Sequence, residues 1–359
     1  MTANYRLGFL GYLYPDDHVN SNMGQRDQQV ALQWVRQNIH AFGGDADSMS
    51  IFGHSAGAIS AGILSLSPLT NSLFNRAILQ SGSPYSFLRP DSPLVAQTKS
   101  RNLSRFVNCS SMADEEISQP AFQCLQAVPA EIILQYAPQE KTHSRRLPNP
   151  MFGDSFLPTS IATLLDKKLQ QSNLKPIDMI IGFQSGDAEL FVMAQTKNVF
   201  GSKNRDKDVT YDQVLGIVST LFDGRLDDAE QEQMMKHYLS AGRSMSSDQL
   251  KSTLIRMYGD LYVYCPSYFL ADELVKSSDG GAKVYMYELR SKASKPKHKH
   301  CLYTCHGEEI PFVFGAPFLH PQDYDDNDRR LSDRVMDHWT QFAKKGCVIS
   351  FYTLLYESK

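Results

Sequence analysis

The sequence predicts an α/β protein with a mostly parallel central sheet flanked by helices, and three observations carry that prediction. Strand-like and helix-like stretches alternate from residue 7 to residue 84, the order that builds parallel sheets through right-handed crossovers. A tight turn, Gly53-His-Ser-Ala-Gly57, joins the end of a buried strand, apolar at Met49, Ile51 and Phe52, to helix-forming residues from Ala56 to Leu64. Farther on, Pro176-Ile-Asp-Met-Ile-Ile-Gly182 is a continuous apolar run, as expected of a strand covered on both faces.

Taken in order, Leu7, Phe9, Leu10, Tyr12 and Leu13 read as a short strand, followed by a turn-rich loop from Tyr14 to Asn22. Val30, Leu32, Trp34, Val35 and Ile39 recur at helical spacing, so this apolar stripe should pack on the sheet, and Gly43-Gly44 is placed to end the helix. After the turn at Ser55 and its helix, Arg76-Ala-Ile-Leu-Gln-Ser-Gly-Ser-Pro84 is a strand closing in a turn. Residues 90–176 are helical and loop-like, broken by Pro148, Pro150 and Pro158. Residues 208–275 read as several helices, clearest at Tyr211–Val218 and Leu254–Tyr262, and Ala282–Arg290 is a further strand. The Lys-rich run from Arg290 to His300 reads as solvated loop, and no internal repeat is visible.

A chain of 359 residues with 21% charged residues can bury a large core. Its net charge of -3 offers no broad basic field, which argues against a nucleic-acid partner. No window reaches the ~18 uninterrupted apolar residues of a membrane helix. The first dozen residues lack the basic and apolar regions of a signal peptide.

The turn at Ser55 fits the G-x-S-x-G pattern in its proper context, a strand before and a helix after. A serine hydroxyl is a weak nucleophile, so it needs a base within reach and a carboxylate to orient that base. The flanking glycines would let neighbouring backbone pass close to the turn. Ala56 N–H, at the start of the helix, would face a developing oxyanion. An incidental serine in a glycine-rich turn is the alternative. Downstream, Asp187 lies just past the end of the strand at 176–182, where open α/β sheets place their sites. His306 stands in the loop Cys305-His-Gly-Glu-Glu309. The order Ser55, Asp187, His306 is nucleophile, acid, base. Glu189, two residues beyond Asp187, is the rival acid.

These blocks, together with Asn4-Tyr-Arg-Leu-Gly8, Ala31-Leu-Gln-Trp-Val-Arg-Gln-Asn-Ile39, Phe42-Gly-Gly-Asp45 and Trp339-Thr-Gln-Phe-Ala-Lys-Lys-Gly346, resemble the type-B carboxylesterase and cholinesterase family. The resemblance implies an α/β-hydrolase fold over residues 1–346, with residues 347–359 a tail that matches nothing expected. It implies a serine carboxylesterase acting on small-molecule esters through an acyl-enzyme, with Ser55 as nucleophile, His306 as base and Asp187 as acid. No cofactor is expected. It places Ser81 and Glu309 as polar groups near the triad, with ordinary turn hydrogen bonding as the alternative. Arg6 and Asp27 are read as a structural ion pair. It also implies a Cys109–Cys124 disulfide.

Departures from the family pattern qualify this. The glycine-rich loop that supplies two oxyanion N–H donors in the family would precede Asn4, so the chain is expected to lack N-terminal strands of the fold and to retain Ala56 alone of the oxyanion hole. An inactive fragment and a non-catalytic adhesion or binding protein are therefore the alternatives to an esterase. His54 stands where cholinesterases usually carry glutamate, and Leu88 replaces an expected aromatic. Both favour a general carboxylesterase over a choline-specific one. Cys265 paired with Cys301 or Cys305 is a second disulfide expectation. Asn102-Leu-Ser and Asn108-Cys-Ser are glycosylation sequons. With the disulfides they point to a secreted or cell-surface parent protein. A homo-oligomer or a cell-surface partner remains open. His298, His300, Cys301, Cys305 and His306 are all zinc-ligand types, but His306 is better explained as the base, so no metal is expected.

Overall fold

The computed structural model describes residues 1–14, 20–136, 147–167, 169–196, 207–222 and 226–348. The expected tail from residue 349 onward, and residues 15–19 of the expected loop, lie outside the described residues. Four strands, β1 (Ser50–His54), β2 (Arg76–Gln80), β3 (Asp178–Gln184) and β4 (Val284–Leu289), form a parallel central sheet in the order β1-β2-β3-β4, with helices flanking it. The α/β reading holds. The chain divides into two compact units, one of residues 1–79, 83–180 and 270–284, the other of residues 80–82, 181–269 and 285–359.

In the first unit, β1 leads through Ser55 into the helix Ala56–Leu66, which packs back on the strand. That helix buries Ala58, Ile59, Ala61, Ile63, Leu64 and Leu66, because apolar residues surround it on nearly every side. Phe74, Phe156, Leu157 and Leu103 are also buried in this unit. A buried ion pair, Lys99 Nζ to Asp91 Oδ2 at 2.8 Å, ties the helix Pro93–Phe106 to the residues just before it, and Asn149 N–H donates to the same carboxylate. Arg6 and Asp27 form the expected pair at 2.7 Å. It is half exposed and contributes little to stability.

Three expectations are corrected here. Residues 8–12 are a short helix, not a strand: Phe9 and Tyr12, three apart, are buried while Leu7 and Leu10 face outward, which is helical rather than alternating spacing. The strand before Ser55 is not buried throughout. β1 stands at the edge of the sheet order, and Phe52 is 50% exposed. The stripe on the helix Met23–Asn38 does not pack on the sheet either, since the buried residues of that helix are Gly24 and Gln25 at its start, whereas Val30 and Trp34 stay exposed. The Trp34 ring has that of Phe42 beside it, centroids 6.2 Å apart.

The second unit is built around the helix Ser247–Gly259, which packs against the helices Glu189–Gln195, Tyr211–Phe222 and Asp228–Tyr238. Capping boxes at Ser246/Gln249 and Asp227/Glu230 satisfy the first N–H groups of two of these. The closing helix, Asp326–Lys345, starts at the Asp325/Asp328 capping box and stops at Gly346, whose φ of 65° suits a left-handed cap. It buries Val335 and Phe342. Gly182 in β3 is there for closeness: a Cβ would meet the Tyr287 ring at 2.1 Å.

Two disulfides are present. Cys109–Cys124 links the turn after the helix Pro93–Phe106 to the helix Gln119–Ala127, beside the cluster Phe9, Leu103, Ile117, Ala121 and Leu125. The second joins Cys301 to Cys305, leaving Cys265 a free, exposed thiol. The expected partnership of Cys265 with either is thus overturned: Cys301 and Cys305, four apart in sequence, are bonded to each other. Closing a loop of 15 residues stabilises by about 3 kcal/mol in the chain-entropy account. The double change Cys109→Ala with Cys124→Ala is expected to lower the unfolding free energy by about 2–3 kcal/mol in urea titration.

Candidate active site

Ser55 is a half-buried residue held at φ 58°, ψ −119° between β1 and the helix Ala56–Leu66. A non-glycine residue pays a steric cost for positive φ, and such strain gathers where a side chain must be presented at a sharp turn. The turn closes so tightly that a Cβ on Gly53 would meet the Gly57 carbonyl at 2.3 Å, while a Cβ on Gly57 would meet nothing. Of the two flanking glycines, Gly53 alone is needed for space. Ser55 carbonyl accepts from Ile59 N–H at 3.0 Å, which starts the helix. Ala56 is its first residue, where backbone N–H groups lack intrahelical acceptors.

In the second unit, β3 ends at Gln184 and the chain turns at once. The carboxylate of Asp187 is fully buried, and both of its oxygens are used: Oδ2 accepts from Gln184 N–H at 2.7 Å, and Oδ1 lies 2.7 Å from His306 Nδ1. A buried carboxylate survives desolvation only with such partners. The imidazole is nearly buried, and the edge of the Phe191 ring packs on it with centroids 5.1 Å apart. An Nδ1–H donated to a carboxylate leaves Nε2 as the basic nitrogen.

The loop that carries His306 is fastened from several sides. Gly186 N–H donates to the Thr304 carbonyl at 2.9 Å, and Gly186 and Cys305 form an isolated parallel bridge. Glu189, expected as the rival acid, is buried and accepts from the N–H groups of Leu302 at 2.6 Å and Tyr303 at 3.1 Å. Its carboxylate binds the backbone ahead of His306. Glu308 accepts from Cys305 N–H at 3.0 Å, and the Cys301–Cys305 disulfide closes the segment just before the imidazole. Carboxylate and sulfur atoms of Glu189, Cys301 and Cys305 lie within 4.8 Å of one another. With both sulfurs bonded to each other, the cysteines offer no thiolate to a metal.

Ser81 and Glu309 also lie in this unit. Ser81 has φ 56°, its N–H donates to the Gly182 carbonyl at 2.7 Å, and its hydroxyl donates to Gln184 Oε1. It thereby holds the residue whose N–H binds Asp187. Glu309 is buried and accepts from Gln80 Nε2 at 2.9 Å. Burial, with the nearby charge of Asp187 second, pushes its carboxyl up to about 8. Asn102 lies exposed in the helix Pro93–Phe106, and Asn108 lies exposed in the turn after it at φ 59°.

Gln184, Gln80 and Phe191 were not singled out from the sequence. Gln184, at the end of β3 and three residues before the acid, is the one that local spacing could have flagged.

A family model described as the carboxylesterase family matches residues 1–348. The chain is 32% identical over 354 residues to acetylcholinesterase-1 of Trittame loki, an alignment that covers 96% of this chain and 61% of that protein. The chain thus spans under two thirds of the relative's length.

Because Glu309 holds its proton to about pH 8 when folded and to about 4.3 when unfolded, the folded state binds the extra proton in between. Its contribution to stability is full below about pH 4.3 and is lost as pH rises towards 8. Glu309→Gln should remove this loss, so that the variant gains on the parent chain by an amount on the order of a few kcal/mol across that window. Urea unfolding at a series of pH values reads it.

Proposed function

The chain belongs to the carboxylesterase family, and from that premise we propose that it is built for carboxylic ester hydrolysis with Ser55 as nucleophile. The observation that carries this reading is the 2.7 Å contact between His306 Nδ1 and the buried Asp187, together with a serine held at a strained strand-to-helix turn. In the proposed cycle the Ser55 hydroxyl attacks the ester carbonyl as His306 Nε2 takes its proton. Asp187 keeps the imidazole in the Nδ1–H form and stabilises the imidazolium. Ala56 N–H donates to the oxyanion. His306 then returns the proton to the leaving alcohol, and water, activated by the same nitrogen, cleaves the acyl-enzyme.

Within that reaction, His54 and Leu88 support a general carboxylesterase over a choline-selective one. An imidazole beside Ser55 attracts a quaternary ammonium less than a carboxylate would. Two disulfides and the exposed Asn102 and Asn108 support a secreted or cell-surface setting.

A fluorophosphonate probe tests the nucleophile. The full chain is expected to be labelled at Ser55, and Ser55→Ala to lose labelling. Absence of Ser55-dependent labelling in a folded sample would favour a non-catalytic binding role. Asp187→Asn should lower ester turnover by about 10³–10⁴-fold, and His306→Ala should lower it by at least as much.

A further inference from the structure

Glu189, Cys301 and Cys305 meet in the segment that leads to His306. One carboxylate oxygen and the two sulfurs lie within 4.8 Å of one another, and all three residues are buried. While the sulfurs are bonded to each other they offer no thiolate. We propose that the reduced form of this segment is a zinc site, distinct from the proposed triad, with the Cys301 and Cys305 thiolates and the Glu189 carboxylate as its protein ligands. A dithiol supplies the two electrons: one of its thiolates attacks the Cys301–Cys305 bond, the second closes on the mixed disulfide, and the reagent leaves as a cyclic disulfide with two cysteine thiols left behind. Zinc then binds as both thiols give up their protons to solvent.

Spacing and size both fit. Cys301-Leu-Tyr-Thr-Cys305 has the separation of zinc-binding cysteine pairs, which carry about two to four residues between them. Zn–S bonds of about 2.3 Å put two sulfurs on one ion at most about 4.6 Å apart, so ligand atoms already this close need only small side-chain rotations. Glu189 accepts from the N–H groups of Leu302 and Tyr303. Ligating carboxylates are themselves hydrogen-bonded as a rule, so these contacts orient the ligand. The charge count asks for a cation. Asp187, Glu189 and Glu308 stand along this segment, with Lys292 Nζ on the Cys301 carbonyl. Arg256 and Arg290, on the same wall as Leu302 and Tyr303, are matched by Asp260 and Glu288. Two buried thiolates added to that set need a metal to neutralise them. The ion takes over from the disulfide the fastening of the chain just ahead of His306, because it bridges the same two sulfurs and joins Glu189 to them.

The test is titration of the full chain with Cd²⁺, whose bonds to thiolate absorb in the ultraviolet, and then with Zn²⁺ as competitor. The changes Cys265→Ser and Cys347→Ser remove the two free thiols, and the dithiol is removed before titration. The reduced chain is expected to show a thiolate-to-metal band that saturates at one ion and is lost to Zn²⁺, whereas the unreduced chain shows none. Zn²⁺ should also raise the thermal unfolding temperature of the reduced chain. Cys301→Ser should abolish the saturating band, and Glu189→Gln should keep it with affinity lowered about tenfold or more. Ser55→Ala should bind as the parent does, so the outcome does not depend on the esterase reading. No band in the reduced chain, a band that survives Cys301→Ser, or full affinity in Glu189→Gln would each overturn the proposal, as would a reduced chain that is unfolded and stays so with Zn²⁺ added.

Discussion

The carboxylate of Asp187 is the constraint on which the second unit depends. It is fully buried, and an ionised group there is tolerable only because backbone and imidazole donors meet both oxygens. The surrounding chain is arranged to keep those donors in place. Ser81 fixes Gln184 through its side chain, and Gln184 gives its N–H to the carboxylate. Glu189, Glu308 and the Cys301–Cys305 disulfide fasten the loop that delivers His306. What the loop achieves is a single imidazole tautomer with Nε2 as its basic nitrogen. Four carboxylates in this short stretch of space therefore do three different things. Asp187 orients the ring, Glu189 and Glu308 hold backbone, and Glu309 is pushed towards its neutral form by burial.

The first unit solves a different problem by strain rather than by charge. Presenting Ser55 at φ 58° is unfavourable for an L-residue. The turn is locked by the helix Ala56–Leu66, whose apolar residues are almost all buried, and by the close passage of Gly53 over Gly57. The helix contributes twice, since its packing offsets the strain and its first N–H groups are left without intrahelical acceptors.

Much of this was legible in the sequence where the signal is local. The G-x-S-x-G turn carries its own strand and helix, and β3 and β4 are written as apolar runs within two residues of their observed ends. Asp187 was read in a loop after a strand and His306 in a loop before an apolar segment, and the two are in contact at 2.7 Å. What was not legible depends on chain segments far apart in sequence. Glu189 binds Leu302 from 113 residues away, so no spacing rule distinguishes it from an orienting acid. The Cys301–Cys305 pairing is local, four residues apart, but rests on the path of the loop between them. Residues 7–13 failed for a different reason: five apolar residues in seven fit a strand and a helix equally, and only the burial of Phe9 and Tyr12 decides. The stripe Val30, Trp34 was read correctly as helical and wrongly as covered, since periodicity gives a face but not what lies against it.

At the centre of the second unit, a buried Asp187 holds the Nδ1 proton of His306. Proton NMR of the full chain tests it most directly. A strongly deshielded imidazole N–H signal is predicted, protected from exchange, absent in His306→Ala and displaced in Asp187→Asn. A folded chain with no such signal, or with one indifferent to both substitutions, would contradict the claim.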